Sequence, residues 1–284
     1  MEEPTYKEIL EQPAKVIIYH RRLTNRAEVE KSIATPEWEC VRVGPNDPRF
    51  HWICYAMYLA RRMLCDDKAI ERLGELGGII AKKYKKPGAP ALRKSSEGRN
   101  KKWIKDTFLP EVLREFPVLY IDEQLDRPST HAMTMTGDTY CYEYGYQKGI
   151  VVSLNSARIE KMARVADTGD IKCFKVCVWL LAHTLVHEIG GHMLIQHLTT
   201  GKEATPPEIS GDDVQVESGA REGESGNWLE LSLFGGLVTL FQEEKRYNDI
   251  EQPGVPTVVV YRGVKRFVRV LKSKVVEHGC NLRK

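Results

Sequence analysis

The chain has 284 residues, of which 42% are hydrophobic and 29% charged, and its net charge is +3. These values are typical of a soluble globular protein with one large domain or two small ones. The small net charge gives no reason to expect nucleic acid as a partner. We find no run of about 18 apolar residues, so we predict no membrane span.

The cysteines and the first residues of the chain bear on the cellular compartment. Seven cysteines are scattered without a pairing framework, and the opening stretch MEEPTYKEIL has no apolar signal segment. Both features predict a reducing environment, and we expect a cytoplasmic protein.

The first hundred residues are predicted to be mainly helical after one short strand. The Pro-, Gly- and Ser-rich stretch 85–101 is the best linker or loop candidate. We therefore divide the chain into a helical region, 1–100, and a second region, 101–284, or treat both as one continuous domain. The predicted elements here are a strand at 16–19 and helices at 53–65, 68–84 and 103–116, the last interrupted at Pro110.

The second region is predicted to mix strands and helices. Alternation on both sides of Gly137-Asp138 predicts a hairpin of 130–136 with 139–144. A polar surface excursion is expected at 200–220. The other predicted elements are strands at 118–121, 149–154 and 257–261, helices at 157–166, 171–198 and 222–241, and an amphipathic basic segment at 264–276. The fold class is therefore α+β.

The segment 180–200, LLAHTLVHEIGGHMLIQHLTT, concentrates the functional signal. It holds half of the eight histidines of the chain within an otherwise apolar helix. Unpaired polar groups in a core are costly, and metal coordination is the most economical reason to place them there. His183 is a candidate to orient a ligand, and His197 is expected to be a surface residue at the helix end.

The spacing within this segment departs from the usual zinc-peptidase motif, H-E-x-x-H. The chain has His187-Glu188-Ile189-Gly190-Gly191-His192, in which the second histidine follows at i+5. On a regular helix the two rings would diverge by about 140°. A π-bulge at the glycine pair would return them to one side, and we predict one there. The rival pair, His183 with His187, has regular i, i+4 spacing but encloses no glutamate.

Two known patterns resemble this region. The sequence HEIGGH resembles the H-E-x-x-G-H motif of the dipeptidyl peptidase III family. The region also resembles uncharacterised fungal proteins with a zincin-like domain, in which an E-x-G-x-x-x-E segment and a Phe-Gly-Gly follow the H-E-x-x-H segment. Here the matching segments are Glu224 to Glu230 and Phe234-Gly235-Gly236, so the resemblance covers about 151–240. It implies a zincin-like fold, with a small mixed or antiparallel sheet packed on a long metal-binding helix.

A catalytic zinc needs a third protein ligand. We choose Glu224, which lies in the resembling segment beside small residues, with Glu217 as the reserve and Glu222 behind it. Glu230 is a candidate to hydrogen-bond a ligating imidazole. Glu188 is the expected general base.

These residues predict a Zn²⁺-dependent hydrolase, most simply a metallopeptidase acting on a peptide. The alternatives are a zinc enzyme of the same fold acting on a small molecule, and a metal or binding module without activity. The sequence leaves the oligomeric state open. The candidate oxyanion donors are Tyr247, Tyr261, His131 and Arg221.

Overall fold

A computed structural model describes most of the chain. The described residues are 15–31, 34–84, 101–125, 131–136, 150–199, 205–206, 209, 223–241, 255–262 and 265–270.

A five-stranded mixed sheet forms the frame of the molecule, in the order β2-β1-β3-β5-β4. Its strands are β1 (Ile18–Leu23), β2 (Trp38–Val43), β3 (Val118–Asp122), β4 (Ala132–Thr136) and β5 (Ile150–Asn155). The β1–β3 and β3–β5 pairs are parallel, while β2 and β4 run antiparallel to their neighbours at the two edges. Every residue of β3 and β5 is buried, as expected for parallel strands covered on both faces.

Seven helices are described, and five of them begin at a capping side chain. The helices are α1 (Arg26–Glu30), α2 (Pro48–Leu64), α3 (Asp67–Lys83), α4 (101–114), α5 (Ser156–Asp167), α6 (Ile171–Leu198) and α7 (Ser225–Phe234). Asp47, Asp66 and Asn155 accept the first free backbone N–H groups of α2, α3 and α5.

The helix α6 lies at the centre of the hydrophobic core and packs on α2 along its length. It consists of a regular part, Ile171–His187, a π-helical part, Glu188–Met193, and a last turn, Leu194–Leu198. By length and composition alone it passes as a membrane span, although 67% of its apolar window is buried inside the protein.

A second, three-stranded antiparallel sheet follows α7. Its strands are β6 (Leu237–Phe241), β7 (Val255–Arg262) and β8 (Lys265–Val270), in the order β6-β7-β8.

The α+β class is confirmed, and several element boundaries are corrected. The helix predicted over 222–241 is wrong in its second half, because the chain leaves α7 through Gly235 in the left-handed conformation (φ 75°) and continues as β6. Pro110 does not interrupt α4, because a π-helical turn at Ile104–Phe108 precedes it and accommodates its missing N–H.

The hairpin predicted at 130–136 and 139–144 is described only in part. Its first strand is β4, which pairs with β5, while the second predicted strand lies within 137–149, outside the described residues. The predicted linker is also outside them at 85–100. The basic segment 264–276 contains β8, and its remainder is likewise outside them. Strands from both 1–100 and 101–284 build one sheet, since β1 pairs with β3.

Candidate metal centre

The predicted π-bulge is confirmed, and it aligns the two histidines of the HEIGGH motif. His187 ends the regular part of α6, and His192 lies in the π-helical part, Glu188–Met193. Their ring centroids are 5.5 Å apart. The extra residue in this turn compensates for the i+5 spacing, so both rings face the same side.

Glu224, at the start of α7, lies against these two rings of α6. It is the N-cap residue of α7, and its Oε1 accepts a hydrogen bond from the backbone N–H of Gly226 at 3.0 Å. The same oxygen lies 2.8 Å from Nε2 of His192 and 3.5 Å from Nε2 of His187. One ligand atom from each of the three residues lies within 4.8 Å of the others.

The close approach of α7 to α6 depends on glycine. A Cβ on Gly226 would overlap the imidazole of His187, and a Cβ on Gly191 would come within 2.5 Å of the backbone nitrogen of Gly226. Neither position has room for a side chain, so the two backbones touch. The small residues around Glu224 were predicted to permit this approach, and the structure confirms the contact.

The residues on both sides of Glu224 pack against Thr205 and Pro206. A Cβ on Gly223 would overlap the carbonyl of Pro206, and Ser225 Oγ lies 3.1 Å from the hydroxyl of Thr205. Thr205 and Ile209 are buried. The surface excursion expected at 200–220 is therefore wrong at these two residues, which hold the Glu224 segment in place.

Glu230 orients the first histidine, as predicted. Its Oε1 accepts a hydrogen bond from Nδ1 of His187 at 2.6 Å, and its Oε2 accepts one from the backbone N–H of Val238 at 2.7 Å. With Nδ1 engaged, Nε2 of His187 is the nitrogen turned towards Glu224 and His192. His183 is buried behind this pair, with its Nε2 3.6 Å from the same Glu230 oxygen.

The histidines and glutamates of the cluster shift each other's pKa values towards the charged forms. Burial lowers the pKa of His187, but hydrogen bonds to Glu224 and Glu230 outweigh it, so that the pKa lies well above its usual value. Burial raises the pKa of Glu224, but hydrogen bonds from His187 and His192 outweigh it and lower that pKa. In the same way, His183 and His187 outweigh burial and lower the pKa of Glu230. Both carboxylates are thus held in the ionised form that a cation requires.

Glu188 lies on the other side of His187, beside the edge of the main sheet. It is 5% exposed, and its Oε2 accepts a hydrogen bond from the hydroxyl of Thr134 on β4 at 2.5 Å. No motif indicated a role for Thr134, and its place in a predicted strand was the only signal in the sequence.

The donor set fits a tetrahedral zinc ion. With bond lengths of about 2.0–2.2 Å, neighbouring ligand atoms of such a site lie about 3.3–3.6 Å apart. The 3.5 Å separation of His187 Nε2 and Glu224 Oε1 falls in that range, and the 2.8 Å separation of His192 Nε2 and Glu224 Oε1 is shorter than it. The side chains of His187, His192 and Glu224 are 17%, 26% and 35% exposed, so the cluster has an open side for a further ligand.

Of the remaining candidate residues, some lie elsewhere than predicted and the others fall outside the described residues. His197 is not on the surface, because it is buried with Nε2 3.1 Å from Glu111 and its ring edge against Phe108. His131 lies beside a neighbouring cavity. Glu217, Glu222, Tyr247, Arg221 and the side chain of Tyr261 lie outside the described residues.

Comparisons of this chain with protein-family models, with curated proteins and with solved structures gave no match. The interpretation of the site therefore depends on its own residues.

Proposed function

We propose that this protein is a zinc-dependent hydrolase of zincin-like type, most simply a metallopeptidase. The observation that carries the proposal is the convergence of His187, His192 and Glu224 on one side of a π-bulged helix, with Glu188 next to the first histidine. Two imidazoles and one carboxylate form a donor set used by catalytic zinc sites, which leave a fourth position for water or substrate.

Each residue has a distinct task in this proposal. A bound zinc ion would lower the pKa of a coordinated water towards about 7 and polarise the carbonyl under attack. Glu188 accepts the proton of the attacking water and passes it to the leaving group. Thr134 holds one oxygen of that carboxylate, which leaves the other oxygen for the proton. Glu230 keeps Nδ1 of His187 occupied and so directs its Nε2 to the metal.

The edge strand gives the reason to favour a peptide as substrate. Among the strands that the structure describes, β4 is the outer one of its sheet, and its Thr134 contacts Glu188 directly. An extended peptide paired with such an edge would run past the proposed base. Met133, the neighbour of Thr134 in β4, is exposed and offers apolar surface on the opposite face of the same strand.

The test is digestion of a peptide library by zinc-loaded protein and by Glu188→Gln. We expect the parent to cleave peptides and the variant to lose about 10²–10⁴-fold in turnover while it keeps zinc, because only the proton acceptor is removed. The exposed Glu71→Gln is the matched control and should retain activity. Full activity of Glu188→Gln would refute its role as base, and a zinc-loaded parent that cleaves no peptide would refute the peptidase proposal.

A further inference from the structure

A cavity with a largely apolar lining and a few polar side chains lies one to two turns before the candidate metal centre, between α5 and α6. It is a cavity of about 40 Å³, walled by Leu180 and Thr184 of α6 and by the first turns of α5, with His131 at the end next to β4. One water-sized group takes about 10–15 Å³, so the cavity holds about three of them.

Lys161 is the unusual residue of this wall. It is 3% exposed, and its Nζ has no hydrogen-bond partner among the described residues. A buried ammonium without a counter-charge is strongly unfavourable, and proteins normally pair such a group or supply it with a ligand.

Two further basic side chains, Arg158 and His131, line the same cavity as Lys161. Arg158 lies one turn earlier on α5 and lines the same cavity. Burial lowers the pKa of this guanidinium. Burial and then the charge of Arg158 lower the pKa of His131 to about 3, so its ring is neutral. Among the described residues that line the cavity, none is acidic.

We propose that this cavity is a binding site for a small oxyanion, with the buried Lys161 ammonium as its cationic donor. The available volume matches the carboxylate group of a small molecule and is too small for a nucleotide. The first turn of α5 borders the same space, and the partial positive charge of a helix N-terminus favours an anion there. On the opposite wall, the hydroxyl of Thr184 donates to the carbonyl of Leu180 at 2.9 Å, so Lys161 remains the donor that the anion needs. The site is distinct from the proposed metal centre and does not depend on it.

The experiment uses the full chain after removal of metal by a chelator, so that the two proposals are tested separately. Thermal unfolding is followed in increasing sodium acetate or sodium phosphate, each against sodium chloride at the same ionic strength. A ligand that binds only the folded state raises the unfolding midpoint with its concentration. We expect acetate to raise the midpoint of the parent, and Lys161→Met to abolish this rise.

Two features of the design separate binding from general salt effects. Lys172→Met removes an exposed lysine from α6 and should keep the acetate response of the parent. Lys161→Met should fold, because it replaces an unpartnered buried charge by an apolar chain of similar length. As a second readout, the line width of ¹³C-labelled acetate should broaden with the parent and not with Lys161→Gln.

Three results would overturn the proposal. The first is the absence of any rise in the parent with either anion. The second is an equal rise in the parent and in Lys161→Met, which would indicate a site elsewhere. Stabilisation by phosphate without acetate would refute the assignment to a carboxylate.

Discussion

The helix α6 supports two polar sites that are organised in opposite ways. At the candidate metal centre each basic ring faces a carboxylate, since His187 meets Glu224 and Glu230 and His192 meets Glu224. In the cavity beside α5 no described lining residue is acidic, while Lys161 and Arg158 both carry positive charge. The first arrangement offers carboxylate and imidazole electron pairs and suits a cation, whereas the second has the unpartnered Lys161 Nζ and no acidic residue among its described lining, and suits an anion.

The difference comes from the elements that face α6. The helix α7 approaches at glycine contacts and brings Glu224 and Glu230, one at its N-terminus and the other on its buried face. The helix α5 approaches with basic side chains. The same core helix therefore has opposite chemistry at two neighbouring stretches, 177–184 and 187–192, and each substitution below tests one side of that contrast.

The largest effect is expected from Gly226→Ala. Its new Cβ would overlap the imidazole of His187 and separate α7 from α6. We expect a loss of about 1–3 kcal/mol in the free energy of unfolding. Zinc affinity should fall by more than about 100-fold, which exceeds the loss expected when a residue that only hydrogen-bonds a ligand is replaced. Metal titration and denaturant unfolding measure the two effects.

The matched control is Gly44→Ala. An added Cβ there meets nothing within 4 Å, so both stability and zinc affinity should stay at parental values. Unchanged zinc affinity in Gly226→Ala would contradict the proposed contact between the two helices at the metal.

A smaller effect is expected from Glu230→Gln. The variant loses the charge that supports Nδ1 of His187, and zinc affinity should drop by about 10–100-fold. Glu111→Gln is the control, because it breaks the equivalent Glu–His pair with His197 outside the cluster. An equal loss of affinity in both variants would show that the effect is not local to the metal.

Thr134→Val tests the link between the edge strand and the base. It removes a hydroxyl hydrogen bond to Glu188 and preserves the side-chain shape. We expect kcat/KM on a cleaved peptide to fall about tenfold, corresponding to about 1.4 kcal/mol, with zinc content unchanged. Thr168→Val, at the exposed end of α5, should retain activity. Loss of zinc in Thr134→Val would instead indicate a structural role for this residue.

The smallest effect concerns acid stability at the cavity. The folded state holds the pKa of His131 near about 3, so the unfolded chain binds its proton more readily as the pH falls below 6.5. This depressed pKa therefore removes stability on acidification. Allowing for partial exposure, the loss between pH 7.5 and pH 5.5 is about 1 kcal/mol. In metal-free protein, His131→Gln should lose less stability than the parent over this interval, as urea unfolding at both pH values can measure.

The sequence predicted much of the geometry of the candidate metal centre because that geometry is local. The i+5 spacing and the glycine pair required a π-bulge, and the glycines near Glu224 indicated a close approach. The burial of His197 and the hydrogen bond between Thr134 and Glu188 depend on contacts between elements distant in sequence. Hydrophobic periodicity within one segment does not predict such contacts. The switch from α7 to β6 was missed because leucines at 229, 233, 237 and 240 continue a helical pattern through Gly235.

The cavity was missed for a related reason. Arg158 and Lys161 lie three residues apart on a predicted helix, a spacing equally typical of a solvated face. Lys161 becomes buried through tertiary packing, in which α5 lies against both α2 and α6.

The most direct test of the central claim is the zinc content of the purified protein and of four alanine variants. We expect about one zinc per chain, lost in His187→Ala, His192→Ala and Glu224→Ala. His183→Ala, which changes a buried histidine outside the three-residue cluster, should retain it. Zinc that survives His192→Ala and disappears in His183→Ala would contradict the π-bulged site in favour of the regular pair, and a parent that binds no added zinc would contradict the metal centre itself.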